Sequence, residues 1–307
     1  MEEIIFSIII PAYNEEEGIG KTCSELCREL DFTTTEVIVV NDGSTDRTAE
    51  IVSEYEHIRL VSHRKNCGYG SGIRTGTKAA RGKYVIWYDA DGQHRPEDLK
   101  KVMDALQKED LDYCIGVRGG DSYEESNRKL GKWILKKFIR MVAGEQVKDF
   151  NSGLRGFRRE ILMCYLPLLP KGFGASTVTT LLMMEQEFYG TEVPIRVRRR
   201  IGKSSVRQFR DGMRTMALIF DISLLFRPFQ VFGSIGLTLF VAGLIYGIGK
   251  ALLVGFGMPI LAFTMMSLGI QIICIGVLSN QISSMRKERF YTLYENESKR
   301  GMNSNEL

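Results

Sequence analysis

The chain has 307 residues, 41 Lys and Arg against 37 Asp and Glu, a net charge of +4 and 44% hydrophobic residues. That length holds one large domain and something smaller, and so slight a basic excess is no footprint for nucleic acid. Its six cysteines form no Cys-x2-Cys pair and its three histidines do not cluster with them, which argues against a zinc site and suits reduced cytoplasmic thiols.

The first apolar run, IIFSIIIPAY, lacks the length and basic start of a signal peptide and reads as a buried strand. Strands are expected at 4–10, 36–40, 58–62, 84–88 and 113–116, with helices at 18–29, 47–55, 70–80 and 96–107. The alternation predicts an α/β domain with a mainly parallel sheet and crossover helices. Ligands of such sheets bind at the carboxyl ends of strands. Three motifs fall there: PAYNEEE after the first strand, NDGSTD after the second and DADGQH after the fourth.

The last of these carries the most chemistry. Asp89 and Asp91 follow an apolar strand and precede a helix opened by Pro96. Two carboxylates so close together need a counter-charge to stay ionised. A hard divalent cation supplies one, since Mg2+ binds one or two carboxylates together with substrate phosphates, and Gln93 adds a neutral oxygen. The stretch is no EF-hand, because His94 stands at the glycine position and Lys100 at that of the bidentate glutamate. In NDGSTD, Asp42-Gly43 makes a good turn and Ser44 or Thr45 a helix cap; alternatively, Asp42 projects from the strand end to hydrogen-bond a base or ribose. CGYGSGIRTG lacks the Gly-x-Gly-x-x-Gly spacing, and Glu15, Glu16 and Glu17 beyond the first strand would repel a pyrophosphate, so a dinucleotide fold is disfavoured.

Residues 127–143 read as an interfacial helix, with Ile134, Leu135, Phe138, Ile139 and Val142 on one surface and Lys132, Lys136, Lys137 and Arg140 beside it. The alternative is an ordinary core helix with a solvated basic face. A juxtamembrane helix is expected over 206–226. From 228 to 285 the one charged residue is Lys250, and GFGMP interrupts the run, which predicts two membrane helices at about 230–252 and 259–282. Basic residues crowd both flanks, from Arg196 to Arg214 and at Arg286, Lys287 and Arg289, placing both termini and the N-terminal domain in the cytoplasm. The tail after Tyr294 is polar and expected to fray.

PAYNEE, NDGSTD, DADGQHRPED and NSGLRGFRRE, in this order and followed by two membrane helices, resemble the family-2 glycosyltransferases. More narrowly, they resemble the polyprenyl-phosphate glycosyltransferases, the group containing dolichol-phosphate mannose synthase and bactoprenol glucosyltransferases. The resemblance implies a GT-A-like (Rossmann-like) domain over 1–205, a juxtamembrane helix at 206–228, two transmembrane helices within 229–285 and a cytoplasmic tail at 286–307. It implies an inverting transfer of sugar from a UDP- or GDP-sugar to undecaprenyl or dolichyl phosphate, with Mg2+ or Mn2+. Pro11, Tyr13, Glu15 and Asp42 would line the nucleoside pocket, Asp89, Asp91 and Gln93 would hold metal and diphosphate, and Arg199 would close over the donor. Arg118 and Arg128 would take the lipid phosphate, with Lys132, Asp149 and Ser152 on the acceptor side. Lys132 stands where some relatives carry serine and Ser205 where many carry lysine.

The implied partners are a nucleotide sugar, a polyprenyl phosphate, membrane lipids and, through the membrane helices, a second copy of the chain. Two alternatives remain: a membrane-anchored synthase acting on polysaccharide or glycolipid, and a non-catalytic nucleotide-sugar scaffold. The absence of a Gln-x-x-Arg-Trp motif speaks against a processive synthase, and the intact Asp89-x-Asp91 pair against the scaffold.

Overall fold

The computed structural model describes residues 3–119, 149, 152–172, 174–201, 217, 220–221, 224, 227–255, 257 and 259–304. The predicted interfacial helix at 127–143, with Arg128 and Lys132, lies outside them, as does most of the juxtamembrane helix at 206–228.

Strand β1 (Phe6–Ala12) lies between β2 (Thr35–Asn41) and β4 (Tyr84–Trp87), parallel to both, and β3 (Ile58–Ser62) pairs in parallel with β2. Every residue of β1, β2 and β4 is buried. Helices cover both faces of these strands, so their sequences are near-continuous apolar runs instead of alternating ones. Alternation shows in which face each residue serves. Ile9, Ile38, Val85 and Trp87 pack on one side with Ile73 of helix α3 (Tyr69–Ala79), whereas Ile8, Ile10, Val37, Val39 and Ile86 pack on the other. That second side is closed by Ile19, Cys23 and Leu26 of α1 (Glu16–Glu29) and by Leu99, Val102 and Leu106 of α4 (Pro96–Lys108). A short α2 (Thr48–Ser53) completes the crossover from β2 to β3.

The other half of the sheet holds β5 (Tyr113–Arg118), β6 (Arg155–Arg158) and β7 (Gly190–Ile195), giving the order β3-β2-β1-β4-β6-β5-β7. β6 is antiparallel to β4 and β5, while β7 is parallel to β5. The sheet is therefore mixed, in a Rossmann-like GT-A arrangement. Sequence patterning pointed to neither β6 nor β7. Four-residue RGFR carries two arginines, and Pro194 in β7 is tolerated because that strand is an edge. Helices α5 (Arg159–Tyr165) and α6 (Ala175–Glu185) pack beneath this half with Ile161, Leu162, Val178 and Leu182.

Helices α7 (Pro228–Val254) and α8 (Ile260–Ser304) form an antiparallel pair, and their segments Pro228–Leu253 and Ile260–Arg286 are long and apolar enough to cross a membrane. They approach closely at Gly236 and Gly269, where an added β-carbon would come within 2.6 Å of the opposite glycine's carbonyl oxygen. Small residues permit such contact between membrane helices. Gly255, with φ +69°, ends α7 in the left-handed conformation. The expected fraying after Tyr294 is not observed: α8 continues to Ser304. Extending an existing helix needs no new nucleus, so polar residues can prolong it. Arg227, at the head of α7, pairs with Glu185 at the end of α6.

Candidate active site

β4 delivers its motif to the carboxyl end of the sheet, where the Tyr88 hydroxyl donates to the His94 carbonyl (2.9 Å) and closes the loop between them. Half-buried Asp89 accepts from the Tyr69 hydroxyl at Oδ1 (3.3 Å), and its Oδ2 lies 3.1 Å from His94 Nε2. Buried Asp91 accepts from the Gln93 amide at Oδ1 (3.1 Å), with Arg200 Nη1 3.4 Å from Oδ2. The same guanidinium pairs with Glu15, beyond the end of β1. His94 and Arg200 therefore stand as the polar partners that the sequence left open for these carboxylates.

The two aspartates titrate differently. Burial acts to raise the Asp89 carboxyl, but the His94 hydrogen bond and charge, with Tyr69 and Arg200, hold it below the ordinary carboxylate value. Asp91 is pushed up to about 6 by burial and then by the charge of Asp89, against the pull of Arg200. Burial likewise pushes Glu15 up to about 7, with Arg200 opposing. Crowding of negative charge in a poorly hydrated cleft has this consequence.

A strap after β7 covers the loop. The Arg196 amide donates to Asp98 Oδ2 (2.9 Å), the Arg198 amide to the Gln93 carbonyl (2.9 Å) and the Ile201 amide to the Asp91 carbonyl (3.1 Å); Gln93 Nε2 donates back to the Arg198 carbonyl (3.2 Å). Arg198 is held by Glu25 (2.7 Å). Of the four arginines here, Arg199 is exposed and Arg200 turns inward to Asp91 and Glu15. The expectation attached to Arg199 thus meets its neighbour in the cleft. A run of basic residues does not reveal which one the backbone aims inward.

At the end of β2, Asp42 is buried and turned toward the glycine-rich loop. Oδ1 accepts from the Cys67 amide (2.9 Å) and lies 2.6 Å from His63 Nδ1, while Oδ2 accepts from the Gly68 amide (2.7 Å). Pro11 is buried and Tyr13 half-buried. One ligating atom each of Asp42, His63 and Cys67 lies within 4.8 Å of the others. The expectation that histidines and cysteines stay apart is therefore corrected: the end of β3 and the following loop bring His63 and Cys67 to Asp42.

Of the residues expected to face the acceptor, Arg118 and Asp149 form a two-pronged ion pair, Nε to Oδ2 at 2.6 Å and Nη2 to Oδ1 at 2.7 Å. Burial acts to raise the Asp149 carboxyl, but Arg118 holds it below its ordinary value. Ser152 is buried in the turn before β6. Arg155 next to it is fully buried, donating to the Ser152 carbonyl (2.7 Å), the Ser176 carbonyl (2.5 Å) and the hydroxyls of Thr179 and Thr180. Burial lowers its guanidinium to about 10, and the charges of Tyr69, Asp149 and Asp89 counteract. Tyr69, His94, Arg155 and Arg200 were missed in the sequence; the His94 in DADGQH was the most accessible signal, three residues beyond the second of the paired acids.

Residues 7–166, just over half the chain, match the family described as Glycosyl transferase family 2. The chain belongs to that family. Residues 227–285 match a second family, the GtrB C-terminal hairpin, over the two apolar helices. An undecaprenyl-phosphate 4-deoxy-4-formamido-L-arabinose transferase of Pectobacterium carotovorum is 32% identical over 204 residues, 60% of this chain and 61% of that protein. A UDP-N-acetylglucosamine–dolichyl-phosphate N-acetylglucosaminyltransferase of Methanococcus voltae is 30% identical over 185 residues, 53% of this chain and 72% of that protein. The matches to three of the relatives span only 61–64% of those proteins' length. Among solved structures, glucosyl-3-phosphoglycerate synthase of Mycobacterium tuberculosis, in complex with Mn2+, UDP and glucosyl-3-phosphoglycerate, superposes with a TM-score of 0.60 at 20% identity, over 71% of this chain and 79% of that one. At that identity the likeness concerns the fold.

Proposed function

We propose that this family-2 chain transfers a sugar from a nucleoside diphosphate sugar to a polyprenyl phosphate, inverting the anomeric centre, at the cytoplasmic face of a membrane. The observation that carries the reading is the pairing, in one chain, of the Asp89–Asp91 cleft with the apolar hairpin of α7 and α8. Relatives named as transferases to undecaprenyl and dolichyl phosphate support the choice of acceptor. The proposed organisation is a transferase domain at 1–205, a juxtamembrane helix at 206–228, the hairpin within 229–285 and a tail at 286–307, with the basic flanks on the cytoplasmic side.

Asp89, Asp91 and the Gln93 oxygen would hold Mg2+ or Mn2+. An all-oxygen donor set suits these hard ions, and Asp89 accepts two hydrogen bonds and Asp91 one beside its ion pair with Arg200, leaving lone pairs for coordination. When bound, such an ion offsets negative charge on the leaving diphosphate. Arg200 exchanges Asp91 and Glu15 for the diphosphate, with Arg199 beside it, and Pro11, Tyr13, Glu15 and Asp42 border the nucleoside. Arg118, Arg128, Lys132 and Ser152 hold the acceptor phosphate, and Asp149 fixes the guanidinium plane of Arg118. The nucleophile is a phosphate oxygen already ionised near pH 7, the second pKa of a monoester being about 6, so no strong base is required. Attack opposite the leaving group gives inversion.

The test is a panel of UDP- and GDP-sugars offered to the full chain in detergent with undecaprenyl or dolichyl phosphate, the lipid product being read by mass spectrometry. One donor is expected to add a single sugar to the polyprenyl phosphate, with EDTA abolishing the reaction. A panel in which no donor labels either lipid overturns the proposal, and labelling of a glycolipid or polysaccharide alone favours the synthase alternative.

A further inference from the structure

Asp42, His63 and Cys67 combine three kinds of metal-ligating side chain at one point of the fold, and Asp42 and His63 already have the outer partners such a site requires. Asp42 Oδ1 and His63 Nδ1 are 2.6 Å apart, and all three ligating atoms fall within 4.8 Å of one another. Around zinc, tetrahedral ligands stand roughly 3.4–3.6 Å apart, so the present separations bracket that shell. His63 Nε2 lies 2.8 Å from Thr75 Oγ1, the outer partner that fixes a ligating imidazole's tautomer and ring plane. The Gly68 amide donates to Asp42 Oδ2 at 2.7 Å, orienting the carboxylate in the same way. Cys67 is exposed and its Sγ donates to the Lys65 carbonyl at 3.3 Å, so the thiol stands at the mouth of the cluster.

We propose that Asp42, His63 and Cys67 form a binding site for a borderline divalent ion of the Zn2+ class, distinct from the all-oxygen site at Asp89 and Asp91. Softness separates the two. Thiolate and imidazole select Zn2+ and its neighbours, whereas carboxylate and amide oxygens suit Mg2+ and Mn2+. Binding displaces the Cys67 thiol proton to solvent, moves the imidazole proton from Nδ1, where it bridges to Asp42, to Nε2 toward Thr75, and keeps a fourth position open for water. Three ligands plus water is an open zinc shell. The site also engages Asp42, which the proposed function places beside the nucleoside. On that reading, the ion and the nucleotide compete for one carboxylate, and occupancy makes the enzyme sensitive to zinc.

The experiment uses metal-free full chain in detergent, titrated with Co2+ and followed by its thiolate-to-cobalt charge-transfer absorption, with Zn2+ then added to displace the cobalt. Wild type is expected to show the band and Cys67→Ser to lose it, while Asp89→Asn retains it. Thr75→Ala is expected to lower Zn2+ affinity roughly 10-fold by releasing the imidazole. No thiolate band in wild type, or an undiminished band in Cys67→Ser, overturns the site. UDP binding in Mg2+ is measured in parallel. Saturating Zn2+ is expected to weaken it at least 10-fold in wild type and to leave Cys67→Ser unaffected. A cobalt–thiolate band with unchanged UDP affinity keeps the metal site and overturns the competition, whereas failure of sugar transfer in the donor panel bears on neither the band nor its loss.

Discussion

A β-carbon added to Gly153 would stand 1.9 Å from Asp89 Oδ2. The backbone between Ser152 and Leu154 is therefore the floor against which the carboxylate rests, and a chain segment remote in sequence sets the position of a residue at the end of β4. Gly153→Ala is expected to rotate the carboxylate off His94 and Tyr69. Mn2+ affinity and sugar transfer should each fall at least about 10-fold, the range seen when the surroundings of a metal ligand are disturbed. Thermal unfolding should shift by the equivalent of roughly 1–3 kcal/mol, as for other overpacked sites. Titration of Mn2+ by its electron paramagnetic resonance signal checks the first, and an unaltered titration would sink the idea.

His94 is buried, with Nε2 against Asp89 and its ring tilted 5.4 Å from that of Tyr88. His94→Phe keeps the bulk and removes the hydrogen bond. Mn2+ affinity is expected to fall 10- to 100-fold with little change in UDP binding measured without metal. Tyr69→Phe, which removes the longer 3.3 Å bond, should have the smaller effect.

The Arg118–Asp149 pair carries a pH dependence. Asp149 titrates below its ordinary value in the folded chain, so the unfolded chain binds the proton more readily. The pair's contribution is full above the unfolded pKa of about 3.9 and is lost as pH falls through the lower folded value. Asp149→Asn is expected to destabilise the chain by roughly 1–3 kcal/mol at neutral pH, because it replaces the charged partner of a part-buried guanidinium with a neutral one. Fluorescence-monitored unfolding in detergent should show wild type and variant converging as pH falls below about 4. A constant difference across that range would count against the pair.

Thiol reactivity gives an independent check on the core. Cys23 and Cys114 are fully buried and burial pushes both thiols up to about 12, whereas Cys67 is exposed. Iodoacetamide at pH 8 should modify Cys67 and spare Cys23 and Cys114 until the chain is denatured. Peptide mass spectrometry before and after denaturation reads this directly, and early labelling of Cys114 would contradict the packing of β5.

Arg155 tests whether a buried charge organises the proposed acceptor side. Its guanidinium serves two carbonyls and two threonine hydroxyls, a fork that lysine does not reproduce. Arg155→Lys is expected to cost roughly 2–4 kcal/mol through acceptors left unpaired and to lower transfer more than donor binding. Equal losses in both would argue for a purely structural role.

Local pattern determined a large part of this protein. β3 was expected and found at Ile58–Ser62, and the first four crossover helices lie within two residues of their expected ends, because buried parallel strands and amphipathic helices carry their periodicity in neighbouring residues. The apolar hairpin was equally plain, since membrane length is a property of composition. Asp89, Asp91 and Gln93 stood out as a candidate group because all three share one loop. Tertiary structure decided what distance in sequence concealed. It inserted the four-residue β6 between β4 and β5, turned Arg200 instead of Arg199 toward Asp91, buried Arg155 beneath Ser152, and folded His63 and Cys67 onto Asp42. Each of these depends on which partner fills a vacancy made by another part of the chain. Periodicity reports the face a residue turns to the core, and only the packed fold supplies the counter-charge that waits there.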